Sequence, residues 1–128
     1  LPIEMIHDVD REELIGWYKR ASIYWHATGY RVNDEKEPEK VEHFGISTVE
    51  AMAAGCVPIV IGKGGQLEVV RSNLEKWTWL TKRDCVKNTA KVLRKPELMK
   101  ELQHKAQQAA TRFGPDPFKA KLKTMLEV

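Results

Sequence analysis

The chain has 128 residues and is short of several things. It has only two cysteines, Cys56 and Cys85. Two are too few for a disulfide framework, so a reducing, cytoplasmic setting is expected, with both thiols acting as small core side chains rather than nucleophiles. No apolar run approaches the roughly 20 residues that a membrane-spanning helix needs, and no signal-peptide pattern is visible. Neither sign of charge dominates: 21 Lys and Arg stand against 18 Asp and Glu, a net charge of +3. Because the basic residues are scattered among the acids, a nucleic-acid footprint is not expected, while a small anionic ligand is compatible. Internal repeats and low-complexity tracts are missing. At this length the chain is one domain, 1–128.

What is present is an alternation of short apolar runs and helical patterns. "IEMI" (3–6) reads as a strand. Asp10 and Glu13 have capping-box spacing, and Leu14, Ile15, Trp17, Tyr18 and Ala21 follow at helical intervals. "SIYWHAT" (22–28) reads as a second strand, followed by a long polar stretch to residue 41; loops of that length are functional or disordered. "ISTVEAMAAG" is helical and stops at Gly55, a C-terminal cap. "VPIVI" (57–61) is uniformly apolar, as a strand covered on both faces is. A glycine loop, "GKGG", and a short helix near "QLEVVR" come next, and "WTWL" (77–80) reads as a fourth strand. Helices close the chain over about 84–127. Val86, Ala90 and Leu93 form one inward stripe, Leu98, Leu102, Ala106, Ala109 and Phe113 a second, and Phe118, Leu122 and Met125 a third, the last on a helix capped by Asp116 with Pro117 at its first position. The four tryptophans, 17, 25, 77 and 79, are expected in the core.

Strand–helix alternation predicts a parallel sheet with helices on both faces, and in such sheets ligands bind beyond the carboxyl ends of the strands. "EHFGISTVEAMAAGCVPIVIGKGG" (42–65) supplies two of the loops at that edge. A helix beginning near Gly45–Ser47 has unpartnered N–H groups and a positive dipole end, suited to a phosphate or a sugar hydroxyl. Gly45 and the glycines at 62, 64 and 65 let a ligand approach the main chain. A carboxylate accepts two hydrogen bonds side by side, which suits a vicinal diol; Glu50 reaches a sugar next to a phosphate at the helix start, and Glu42 a second sugar. Plainer readings stand beside this one. Ser47 and Glu50 also have capping-box spacing, Glu42 fits a solvated loop, and His26 and His43 fit structural or solvated positions.

The stretch resembles the signature of the group 1 retaining glycosyltransferases. The family pattern is a Glu, seven residues and a second Glu, with Phe-Gly after the first and Glu-Ala-Met-Ala-x-Gly at the second. Glu42, Phe44, Gly45, Glu50, Ala51, Met52, Ala53 and Gly55 match it, and Gly64, Gly65 and Glu68 match the family's Gly-Gly-x-x-Glu element. The helix and strand over 12–28 and the helices from residue 95 onward are similar to the family's flanking elements, so the resemblance covers nearly the whole chain.

The resemblance implies an α/β fold: a partial Rossmann-like, three-layer domain with about four parallel strands and C-terminal helices, the C-terminal part of a GT-B fold. It implies a hexosyltransferase acting from a nucleotide-sugar such as a UDP- or GDP-sugar, with no metal and no separate cofactor. Glu50 binds the ribose hydroxyls on this view, and Glu42 holds the transferred sugar near the reacting carbon. Phe44, Gly45, Ile46, Gly64 and Gly65 line the donor. The family's acceptor-binding N-terminal domain and its basic pair for the diphosphate precede the equivalent of Leu1, so the isolated chain is expected to be inactive. Lys63 is the lysine of the glycine loop. Peripheral membrane association of a parent enzyme is compatible with a family that includes lipid-glycan enzymes. The alternatives are a non-catalytic binding module derived from such a domain, or an epimerase or phosphorylase on the same fold. The loop 29–41 is longer, and "SNLEKWTWL" more irregular, than the family pattern.

Overall fold

A computed structural model describes residues 2–71 and 73–126. Helix α1 (Arg11–Arg20) starts where expected: the Asp10 carboxylate accepts the Glu13 N–H at 2.9 Å, with Glu12 and Glu13 in the first turn and Lys19 and Arg20 in the last, charges that complement the helix dipole. Strand β1 (Ile23–His26) follows, then α2 (Ile46–Ala53) and strand β2 (Val57–Val60). The strands pair in parallel, Ile23 with Val57 through His26 with Val60. Every residue of β2 is buried, as a strand covered on both faces must be. The core gathers around it, with Met52 of α2, Val69 and Val70, Trp77 and Trp79, Val92, and Leu102 and Ala106 of the long helix α5 (Pro96–Ala110). Gly55 ends α2 at φ 100°, the left-handed turn that stops a helix where glycine is cheapest.

The sheet has two strands among the described residues, not four. Residues 3–6 have no partner strand, and Ile3 and Met5 are exposed. At residues 77–80 the ladder shrinks to one parallel bridge, Ile61 with Trp79. The cause is local. Glu75–Trp77 form a 3-10 turn, the Thr78 hydroxyl donates to the Glu75 carbonyl at 2.8 Å, and the Asn88 amide donates to the carbonyls of Trp77 and Thr78. Those carbonyls are satisfied by a side chain, so no strand is needed to satisfy them.

The same asparagine corrects the expected stripe on α4 (Lys82–Leu93). Val86 and Leu93 are exposed, while Val92 is buried and Cys85, Asn88 and Thr89 are partly so. The helix is turned to bring Asn88 to the Trp77–Thr78 carbonyls, and Thr89 accepts the Trp25 indole N–H at 3.0 Å. Trp25 itself is largely exposed and Trp17 half-buried, so only Trp77 and Trp79 of the four are core. The α5 stripe holds: Leu102 and Ala106 are fully buried, with Leu98, Ala109 and Phe113 packed on the core. The α6 stripe does not. That helix runs Pro115–Met125 with Gly114 as N-cap, not Asp116, and Phe118, Leu122 and Met125 are exposed, because α6 packs mainly against the short Thr111–Phe113 turn rather than the sheet. Residue 127 lies outside the described residues. Helices α2, α4 and α5 pack against the sheet, and the short α3 (Gln66–Val69) follows the glycine loop. Among the described residues no helix is long and apolar enough to cross a membrane.

Candidate functional site

Beyond the carboxyl ends of β1 and β2 lie two turns, residues 42–45 and 62–65, that interlock. Gly45, the N-cap of α2, sits at φ 97°, and a Cβ there would stand 2.8 Å from the Gln66 amide nitrogen. Gly64 sits at φ 54°, and a Cβ on it would run into the Glu42 carbonyl oxygen; one on Gly65 would run into the main chain of His43 and Phe44. The Gly65 N–H donates to the Glu42 carbonyl at 2.7 Å. On these flanks the closeness that the glycines permit is taken by the opposite turn rather than left open to a ligand. Gln66 is completely buried behind Gly45, and neither of its amide atoms has a partner among the described residues.

The start of α2 carries no side-chain cap. The capping-box reading of Ser47 and Glu50 is therefore overturned. Ser47 is the second helical residue, and its hydroxyl accepts from the Tyr24 phenol at 2.8 Å. Glu50 turns away from its own helix start and pairs with Arg11, Nη1 to Oε1 2.9 Å. Arg11 is 72% exposed at its side chain, so this pair contributes about 0–1 kcal/mol at most and opens easily. The first N–H groups of α2 thus have no side-chain partner, and Glu50 lies one turn further along the helix with its carboxylate on Arg11.

Glu42 is held differently. One carboxylate oxygen accepts the Phe44 N–H at 3.3 Å, and the other lies 3.6 Å from His26 Nε2, whose side chain is only 12% exposed. His26 ends β1, with Tyr24 two residues before it on the same face and their rings 6.4 Å apart. Both were legible as alternate residues of a strand end, but nothing in their spacing joined them to Glu42 and Ser47. Next to them, burial, with Tyr24 and Glu50 adding, pushes the Tyr18 phenol up, so it stays a proton donor. Burial likewise pushes both thiols up. The Cys56 thiol donates to the Tyr18 carbonyl at 3.1 Å, as a packed side chain and not a nucleophile.

A cleft of about 690 Å³ opens beside the start of α2. Phe44, Ile46 and Glu50 line it together with Glu68, and Arg71 and Lys121 bring positive charge to it, while the Arg112 guanidinium is taken up by the carbonyls of Glu68, Val69 and Arg71. The Phe44 ring meets Phe113 edge-on at 5.3 Å, which seats the closing segment on the turn. Glu42 is not among the cleft-lining residues; it faces His26 instead. Among the described residues the exposed His43 side chain makes no hydrogen bond or ion pair, and it joins neither carboxylate. Lys63 is not free for an anion: its ammonium donates to the carbonyls of Gly29, at 3.3 Å, and of Val32.

In an α/β domain, an uncapped helix start beyond the carboxyl ends of parallel strands is a place where ligands, anions above all, can bind. The family model for glycosyl transferases group 1 matches residues 2–113. That is most of the chain, and the chain belongs to this family. Membership carries a role in glycosyl transfer, with a nucleotide-sugar as donor. Neither the curated proteins nor the solved structures compared with the chain offered a match.

Proposed function

We propose that this domain binds the donor of a retaining hexosyl transfer. The observation that carries the reading is the uncapped start of α2 with Glu50 one turn inside it. The diphosphate is placed at the N–H groups of Gly45 and Ile46, where the helix dipole favours negative charge. Glu50 then exchanges Arg11 for the two ribose hydroxyls, and the side chains of Phe44 and Ile46 bound the donor. Glu42, fixed by the Phe44 N–H and close to His26, takes hydroxyls of the hexose near its reacting carbon. Gly64 and Gly65 serve this arrangement by holding the Glu42 turn in place.

In the transfer, the bond from the anomeric carbon to the diphosphate oxygen breaks as the acceptor oxygen bonds to the same face. The acceptor's proton passes to the departing oxygen. The donor side contributes by stabilising the leaving charge through the α2 dipole and nearby cations, Arg71 and Lys121 of the cleft included. No covalent enzyme–sugar intermediate is needed in this scheme.

Calorimetric titration with UDP-glucose and GDP-mannose tests the reading. Binding of one of them should weaken by about 1.5–3 kcal/mol in Glu50→Ala, the loss expected for a charge-assisted hydrogen-bonded contact, at an unchanged melting temperature. Unaltered affinity in that variant would rule out the ribose role.

A further inference from the structure

A second recess at the same edge of the sheet has no part in the scheme above. It measures about 700 Å³, within the range of small-molecule sites, roughly 300–1,000 Å³. The segment 30–35 lines it, together with Lys63 after β2 and Leu80 and Thr81 after the Ile61–Trp79 bridge.

The long loop that forms it is built, not loose. Gly29, at φ 89°, packs against Val41 so closely that a Cβ would stand 2.7 Å from Val41 Cγ1, so the two ends of the loop meet, as in an Ω-loop. The Asn33 side chain accepts the N–H groups of Glu35 and Lys36 at 3.1 and 3.2 Å. Lys63 ties the loop to the glycine turn through the carbonyls of Gly29 and Val32. Tyr30 rests beside the buried Trp79, ring centroids 5.7 Å apart.

Its chemistry differs from that of the α2 cleft. Two cations, Arg31 and Lys63, balance two carboxylates, Asp34 and Glu35, and Asn33 and Thr81 add neutral polar groups. Neither carboxylate is in an ion pair or a side-chain hydrogen bond among the described residues. Lys82 stands at the rim, its ammonium 5.9 Å from the Tyr30 ring, but Arg31 lies over the same ring and the Lys63 ammonium is taken up by main-chain carbonyls, so little free positive charge faces a phosphate. A neutral ligand carrying many hydroxyls gains donors and acceptors together. The position is equally specific. Lys63 precedes Gly64, and the Gly64–Gly65 turn holds the main chain of Glu42, so the recess and the Glu42 turn share one loop.

We propose that this recess is a subsite for a neutral saccharide, set on the acceptor side of Glu42 by the Lys63-tethered loop. The acceptor assignment rests on the donor-binding reading above; the saccharide chemistry rests on the recess alone.

Saturation-transfer NMR on the 128-residue chain, with methyl α-D-glucopyranoside, methyl α-D-mannopyranoside and maltotriose as probes, tests it. At least one probe should bind, and an Asp34→Ala, Glu35→Ala double variant should lose about tenfold or more in affinity, the worth of one charge-assisted hydrogen bond. Both positions are exposed, so folding is unaffected, and UDP-glucose and GDP-mannose affinities should be those of the parent chain. No binding by any probe overturns the proposal, as does binding that the double variant leaves unchanged or that inorganic phosphate displaces. Saccharide binding that depends on Asp34 and Glu35, in a chain that binds neither nucleotide-sugar, would refute the acceptor assignment and the donor reading while leaving a sugar site.

Discussion

The interlocked turns at 42–45 and 62–65 and the terminal helix α6 are opposite ways of packing a short stretch of chain. In the turns, main chain meets main chain: Gly45, Gly64 and Gly65 leave no room for a Cβ, and the partners are mostly backbone atoms and a buried glutamine that cannot step aside. In α6, a stripe of correctly spaced apolar residues meets little else. Phe118 is 65% exposed and Met125 72%. Spacing says that a face can form; it does not say what covers it. A glycine pair looks permissive in a sequence, yet here it marks the most constrained contact of the domain. If that contrast is right, the cost of adding one methyl group to the turn should far exceed the cost of deleting several from α6.

The largest effect is therefore expected at Gly65→Ala. Its φ of −62° is ordinary for alanine, so backbone strain is not the issue. The new Cβ would run into the main chain of His43 and Phe44. Backbone atoms yield less than side chains do, so the cost should exceed the usual 1–3 kcal/mol for overpacking, at about 3–5 kcal/mol. Urea unfolding of the variant measures it. A midpoint within error of the parent would show that the two turns are not locked together as described. Because the Glu42 main chain is the other half of the contact, donor affinity should fall along with stability.

Next comes Asn88→Ala, on the rotated face of α4. The amide serves the carbonyls of Trp77, which is buried, and Thr78, which is half-buried. Leaving such acceptors without a partner costs about 1–3 kcal/mol. Thermal unfolding should register this as a clear drop in melting temperature, whereas Val86→Ala on the exposed side of the same helix should register almost none. Equal losses at the two positions would restore the stripe that spacing alone predicts.

These comparisons say what was legible in the sequence. β2 was, because five successive apolar residues admit little but a covered strand. α5 was, because its large and small apolar residues recur without a polar competitor. The start of α1 was, because the Asp10 carboxylate accepts the Glu13 N–H three residues on, a purely local contact. The two-carboxylate turn could be read only as a pattern: Glu50 lines the cleft beside α2, while Glu42 faces His26. The failures share one cause: they depend on a partner distant in sequence. Residues 3–6 have strand-like composition but no strand beside them. Residues 77–80 have it too, but Asn88, ten and eleven positions later, takes the carbonyls of Thr78 and Trp77. Ser47 and Glu50 have capping-box spacing, but Gly45 takes the N-cap position and the side chains find Tyr24 and Arg11. The pairing of His26 with Glu42 was illegible for the same reason: fifteen residues separate them in sequence, and the Gly29–Val41 closure brings the end of that loop back to the strand.

The smallest effect is expected in α6, at Leu122→Ala. In a core helix the loss of a leucine side chain costs about 2–5 kcal/mol, because both the transfer term and the cavity term are paid. Leu122 is 42% exposed already, so only part of that transfer term is at stake and no closed cavity is left behind. Alanine also has the better helix propensity, by a few tenths of a kcal/mol. The propensity gain offsets a fraction of the transfer loss, and the change in the urea midpoint should correspond to about 1 kcal/mol. Phe118, 65% exposed, is the sharper control, since it lines the cleft beside Glu50: Phe118→Ala should cost no more stability than that, and its main effect should appear in donor titration instead. A loss above about 2 kcal/mol in the Leu122→Ala chain would mean that α6 is covered in solution as core helices are, and the contrast with the glycine turns would then be one of degree only.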